Sequence, residues 1–286
     1  MSDAGTTMIF DPDACHVAIG ADSNTSQDAS STPRKVASTR RTVTSAHQSA
    51  EARADMYRFL SAIYLSPINE NLLSQLVDEE FLEELSELFG EQAVTELRHF
   101  AATVSLEEDL PFLKQEYMDL FAVPTGRYVT PFEDVFRGSS ADGKGVRGPL
   151  LGERAIAVTR AYRGAGAEMD GACMELPTHI GVELSFMNFL CDKEAAAQQN
   201  QTSTAAPEGK NEKLTEPIRY RQLQSRFLQE HLNQWFPHLS SSIQASATGP
   251  LYRGLAVLTE EFLSQDAAGL LAQMQDQGAP GSMGAE

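Results

Sequence analysis

A chain of 286 residues with 42% apolar content can bury one large helical core or two small ones and still leave length for tails. Its 22 Lys and Arg against 40 Asp and Glu give a net charge of −18, which opposes docking on nucleic-acid phosphates or anionic lipid and leaves a basic partner, or plain solubility, as the meaning of the acidity. Cys15, Cys173 and Cys191 are widely spaced and odd in number, so neither a zinc knuckle nor a disulfide framework is supported, and a reducing compartment is implied.

No window reaches the roughly 18 to 20 apolar residues of a membrane span, and Met1-Ser2-Asp3-Ala4-Gly5 lacks the basic and apolar regions of an export signal, so the expected location is the cytoplasm. Residues 1–46 are rich in Ser, Thr, Asp and Ala without a packing period and read as a disordered tail. Within it, Ser38-Thr39-Arg40-Arg41-Thr42-Val43 looks like a twin-arginine export signature, but the polar Thr44-Ser45-Ala46-His47-Gln48 follows where an apolar stretch is required; the string is a basic spot of the tail or a weak self-ligand.

From Ala52 the pattern becomes helical. Met56, Phe59, Leu60, Ile63 and Tyr64 form one apolar stripe on a helix that stops before Pro67. Leu72, Leu73 and Leu76, then Phe81, Leu82, Leu85, Leu88 and Phe89 closed by Gly90, predict two short helices, and Val94, Leu97, Phe100, Ala101 and Val104 another. Further helices are predicted at about 107–122, 150–163, 177–194, 216–235 and 250–265, with no strand pattern among them. The expected fold is all-α, a helical body over 47–267, with residues 195–215 as a mobile linker and 268–286 as a second disordered tail.

Catalytic and metal signatures fail on inspection. Gly138 to Gly145 matches G-x-x-x-x-G-K but ends in Gly145 where a hydroxyl is needed, and Pro149 follows where a helix should run. His179 and Glu183 are spaced i, i+4 without a further ligand. His16, His47, His99, His231 and His238 carry no triad spacing, so no catalytic residue, metal or cofactor is assigned.

What remains is Glu116-Tyr117-Met118-Asp119-Leu120-Phe121-Ala122-Val123-Pro124 and Pro131-Phe132-Glu133-Asp134-Val135-Phe136, which interleave carboxylates with bulky apolar groups. Two readings stand: a surface for a basic, greasy peptide, or a helix end with a packed loop. These strings, with Leu176-Pro177-Thr178-His179-Ile180-Gly181-Val182-Glu183-Leu184-Ser185-Phe186-Met187, Tyr57-Arg58-Phe59-Leu60, Ala161-Tyr162-Arg163, Arg226-Phe227-Leu228-x-Glu230-His231-Leu232-x-x-Trp235 and Phe262-Leu263, resemble in order the TorD/DmsD/NarJ family of redox-enzyme maturation chaperones over about residues 52–266.

The flexible linker permits a monomer or a domain-exchanged dimer, and the acidity and lack of an apolar span leave neither nucleic-acid binding nor membrane insertion expected. The resemblance implies an all-helical fold with a hinge near 195–215, and a chaperone, not an enzyme. Its partner would be the apo catalytic subunit of a molybdenum-pterin oxidoreductase, bound through a twin-arginine signal peptide until the cofactor is loaded. Glu116, Asp119, Glu133 and Asp134 would then hold the client arginines, as bidentate guanidinium–carboxylate pairs. Tyr117, Leu120, Phe121, Phe132 and Phe136 would take its apolar core, and Pro131, Thr178, His179 and Glu183 complete the expected peptide-binding set. Thr178 stands where the family usually has aspartate, as a neutral hydrogen-bonding replacement or as a helix cap beside Pro177. The contrasting reading is a permanent helical scaffold subunit whose motifs serve only packing.

Overall fold

The structure, a computed structural model, describes residues 17–19, 49–138, 148–171, 173–203 and 215–278. Ser49 caps α1 (Ala50–Leu65), its hydroxyl accepting from the Ala52 amide at 3.2 Å, and Asn69 and Asp78 cap α2 (Glu70–Leu76) and α3 (Glu79–Phe89) in the same way. Gly90 closes α3 and opens α4 (Glu91–Thr103) with φ +84, a backbone geometry a glycine reaches without a Cβ clash. α5 (Leu110–Tyr117) runs into a π turn (Met118–Ala122), and α6 (Glu133–Phe136) is a single turn.

α7 (Glu153–Gly164) leads into β2 (Ala167–Met169), which pairs antiparallel with β1 (Val17–Ile19), Val17 opposite Met169. The second half is α8 (Ile180–Ser203), α9 (Thr215–Phe227) with a π turn (Leu228–Leu232), α10 (Asn233–Ser246) and α11 (Pro250–Gly278). The all-α expectation holds, the three-residue ribbon aside.

α1 lies along α8 and α4 along α11, and their inner faces share one core that contains Tyr57, Tyr64, Trp235, Phe236 and Tyr252. α1 and α8 approach at Gly181, where a Cβ would stand 2.5 Å from Leu65 Cγ. Where α1, α8, α9 and α11 meet, a buried ionic knot replaces apolar packing. Arg53 pairs with Asp266 at 2.6 Å and Glu194 at 3.3 Å; Glu194 also takes Arg221 and the Gln224 amide, and Tyr57 donates to Asp266. Burial alone would lower the Arg53 pKa, but Cys191, Asp266 and Glu194 around it carry it up instead.

Three boundaries differ from expectation. The supposed linker begins as helix: α8 continues to Ser203, with Ala195 and Ala197 buried and Gln198 bonded back to Glu194. Alanine and glutamine are good helix formers, so a stretch without bulky side chains continues the helix. Residues 204–214 of that range lie outside the described residues, as does the Ser38–Val43 string and, beyond Gly138, the glycine-lysine string. The expected C-terminal tail is helical to Gly278, pinned by buried Leu270, and Val17–Ile19 form a strand within the expected N-terminal tail. Cys191 is a buried free thiol, whereas Cys173 is disulfide-bonded, against the reading of the spacing as supporting no disulfide framework.

Candidate functional site

The motif segments meet in one place. The Ile180 amide donates to the Pro131 carbonyl at 2.8 Å and the Glu133 amide to the Thr178 carbonyl at 2.9 Å, so residues 131–133 and 178–180 run side by side, with the Phe132 ring edge-on to His179. Glu133, fully buried, pairs with Arg137 and with Nδ1 of His231 at 2.9 Å, and Arg137 reaches on to the Glu230 carbonyl at 2.7 Å. Burial pushes the Glu133 pKa up, but His231 and Arg137 outweigh it and hold the carboxylate below its ordinary range. Glu183, equally buried, accepts from the Trp235 indole at 3.1 Å; burial first and the Glu133 charge second drive its pKa well up.

Asp134 is the second tie. One oxygen accepts from the Thr178 hydroxyl at 2.8 Å and from the Val135 amide at 3.0 Å, and the other accepts from the Leu151 amide at 2.6 Å. Thr178 is therefore an internal partner of Asp134. His179 stands at the start of α8, its carbonyl accepting from Val182 and Glu183 and its Nδ1 accepting from the Gly181 amide at 3.1 Å. Burial depresses its pKa to about 3, as an Nδ1 acceptor requires. With Nδ1 used by the backbone, the i, i+4 pair with Glu183 has no ligand role, and among the described residues no group of three His, Cys, Asp or Glu is placed to hold a metal.

Glu116 is the third tie: a single oxygen accepts from the Thr248 amide at 2.7 Å, the Thr248 hydroxyl at 2.8 Å and the Gly249 amide at 2.9 Å, capping the start of α11. Tyr117 donates to the Tyr64 carbonyl at 2.9 Å, and Tyr117, Leu120 and Phe121 are core.

The expected peptide-binding set is thus corrected on its accessibility. Glu116, Glu133, Asp134, Thr178, His179 and Glu183 are buried and engaged internally, and Tyr117, Leu120, Phe121 and Pro131 are packed inside. Phe132 and Phe136 are partly buried, Phe136 tilted against Trp235. Asp119 alone among these carboxylates keeps substantial exposure, and it is held by Gln115 and then Arg127, whose hydrogen bonds lower its pKa. A carboxylate set among apolar residues reads the same in sequence whether it faces water or an internal partner; burial of the charge is affordable here because each is hydrogen-bonded.

What these residues hold up is more accessible. The outer arc of α5 and its π turn shows Phe112, 73% exposed, with Met118 and Val123, and the preceding turn shows Leu106, Glu107 and Glu108. This is the reverse side of the segment whose inner side carries Glu116, Tyr117 and Leu120. A second surface lies along α7, where Leu151, Ala155, Ile156, Thr159, Arg160, Arg163 and Pro177 line a groove of about 500 Å³. Asp134 grips the Leu151 amide and Tyr162 donates to the Pro177 carbonyl at 2.8 Å, so buried motif side chains position both flanks of that groove. Arg160 and Arg163, one turn apart on α7, both line this groove.

No helix among the described residues is long and apolar enough to cross a membrane. The family model for nitrate reductase delta subunits matches residues 82–241. The chain is 21% identical over 228 residues to the chaperone protein TorD of Shewanella pealeana, covering 78% of this chain and 92% of the relative. It is 24% identical over 221 residues to the TorD chaperone of Vibrio cholerae, covering 76% and 90%. Over 102 residues it is 30% identical to the perchlorate reductase assembly chaperone protein of Dechloromonas aromatica, covering 36% of this chain and 40% of that one. With more than half its length matched by the family model, the chain belongs to the nitrate reductase delta subunit family, the TorD/NarJ type of maturation chaperones, and is not an enzyme.

Proposed function

We propose that the protein is the maturation chaperone of a respiratory molybdoenzyme: it holds the apo catalytic subunit of a molybdenum-pterin oxidoreductase by its twin-arginine signal peptide in the cytoplasm until the cofactor is inserted. The names of the relatives support the client class. The observation that supports the signal-peptide reading is the outer arc of α5, where Phe112, Met118 and Val123 are exposed and follow the exposed Glu107 and Glu108 in the chain.

A signal peptide joins a cationic start to an apolar helix. The apolar part covers the arc, and the arginines meet carboxylates that have no internal partner among the described residues, unlike Glu116 or Glu133. Since the arc is open to water, its ion pairs are screened and the grip stays moderate, which suits a chaperone that must let go.

Calorimetry with synthetic signal peptides of molybdenum-enzyme catalytic subunits tests the reading. Phe112→Asp with Met118→Asp lowers affinity at least tenfold, and Glu107→Lys with Glu108→Lys lowers it and flattens its salt dependence, both with unchanged helicity. Unaltered affinity in both variants overturns the signal-peptide site. A chaperone is also absent from the purified mature enzyme, whereas stoichiometric co-purification would mark a permanent subunit.

A further inference from the structure

We infer that the groove along α7 is a docking place for the chain's own residues Met8–Asp13, a self-ligand on a surface separate from the proposed signal-peptide arc. Leu151 and Ile156 stand 62% and 59% exposed at the groove, an unusual display for two large aliphatic side chains on one lip. Leu151 also sits at φ +60, a left-handed conformation that leucine rarely adopts, and it is held there by the bond from its amide to buried Asp134. The fold thus spends a buried carboxylate on presenting an apolar side chain to the outside.

The charge of the surface narrows the occupant. Although the chain carries −18 overall, α7 presents Arg154, Arg160 and Arg163 at its surface, and none of them forms an ion pair among the described residues. An apolar groove edged by guanidinium groups favours an apolar segment that carries carboxylates and disfavours a dibasic one. The sequence Met8-Ile9-Phe10-Asp11-Pro12-Asp13 has that composition, with three bulky apolar residues followed by two aspartates.

The chain is already tethered beside the groove. A smaller hollow of about 340 Å³, lined by Thr159, Tyr162, Arg163, Ala167, Glu168 and Met169, shares Thr159 and Arg163 with it. β1 lies along β2 with Val17 opposite Met169, so the residues preceding Val17 start from the rim of that hollow. From Phe10 to Val17 an extended chain spans roughly 23 Å, at about 3.3 Å per residue. Residues 1–16 themselves lie outside the described residues. The backbone pairing of β1 supplies the anchor, and the Arg-edged apolar surface supplies the seat, the division used when an extended segment adds to a sheet edge.

The test uses the full chain. With p-benzoylphenylalanine in place of Phe10, irradiation gives an intramolecular cross-link that mass spectrometry maps to residues 151–163, and Arg160→Glu with Arg163→Glu reduces its yield at least fivefold. In parallel, Ile9→Asp with Phe10→Asp frees the groove, so anilinonaphthalene sulfonate, an apolar anion, binds at least fivefold more tightly than to the unmodified chain, and adding the two arginine reversals cancels the gain. A cross-link that maps elsewhere, one that joins two copies, or dye binding unchanged by Ile9→Asp with Phe10→Asp each overturns the inference. Signal-peptide affinity is unchanged by Ile9→Asp with Phe10→Asp, which separates this test from that of the α5 arc.

Discussion

The Thr178 hydroxyl donates to Asp134 at 2.8 Å, inside the protein. An aspartate there would set two buried carboxylates against each other, and they could coexist only by sharing a proton. Thr178→Asp is expected to cost about 2 to 4 kcal/mol at pH 7, by removing a buried hydrogen bond and adding an unpaired charge. Adding Asp134→Asn recovers part of it, because the amide donates to the new carboxylate and its oxygen keeps the Leu151 amide, although the Val135 amide loses its acceptor. Urea unfolding of both variants checks the pattern; equal loss in single and double variants refutes it.

Glu116 joins α5 to the first turn of α11 through three hydrogen bonds to one oxygen. Glu116→Ala is expected to lower stability by about 1 to 3 kcal/mol, and Glu116→Gln by less, since the amide oxygen still accepts. Client-peptide affinity at temperatures where the variants remain folded is expected to stay within twofold. A large affinity loss without a stability loss would return Glu116 to the binding surface.

The pH dependence of stability has a signed component from His179. Its folded pKa, about 3, lies below the ordinary value of 6.5, so the neutral form is favoured by folding; the contribution is present above about pH 6.5 and is lost as pH falls toward 3. Between pH 6.5 and 5 the loss approaches about 2 kcal/mol, at about 1.4 kcal/mol per unit. Glu183, whose pKa is raised, acts in the opposite sense, its contribution lost as pH rises above 4.5. The measurement is therefore the difference between the unmodified chain and His179→Asn, which narrows as pH falls through this window.

In the knot of α1, α8 and α11, Arg53→Met is expected to destabilise by about 3 to 5 kcal/mol, because Asp266 and Glu194 remain buried with less positive charge beside them. Asp266 already has a pKa raised by burial and held in check by Arg53, so the variant is expected to regain stability as pH is lowered. Thermal unfolding at pH 7 and pH 5 reads both effects.

The helices of this chain were readable because their apolar residues repeat with the right period: Leu60, Ile63 and Tyr64 are buried where the stripe on α1 places them. Period does not reveal which partner a polar side chain meets, so Glu133, bound to His231 almost a hundred positions away, looked like a free carboxylate. Bulk was the wrong guide to order at Ala195–Ser203, where alanine packs a helix without large side chains. The groove along α7 escaped notice because its parts come from Leu151, Ile156 and Pro177, which only tertiary folding unites.

The π turn at Met118–Ala122 sets how α5 divides its residues between interior and exterior. A π turn takes about one residue more than an α turn, so it acts as an insertion absorbed without a loop. Deleting one residue from it would let the rod wind regularly, and everything on one side of the lost residue would rotate by about 100° relative to the other. Leu120 and Phe121 would then turn away from the pocket they fill while Glu116 kept its hold on α11. A shortened relative should therefore be sought not with the same motif but with compensating changes on both flanks.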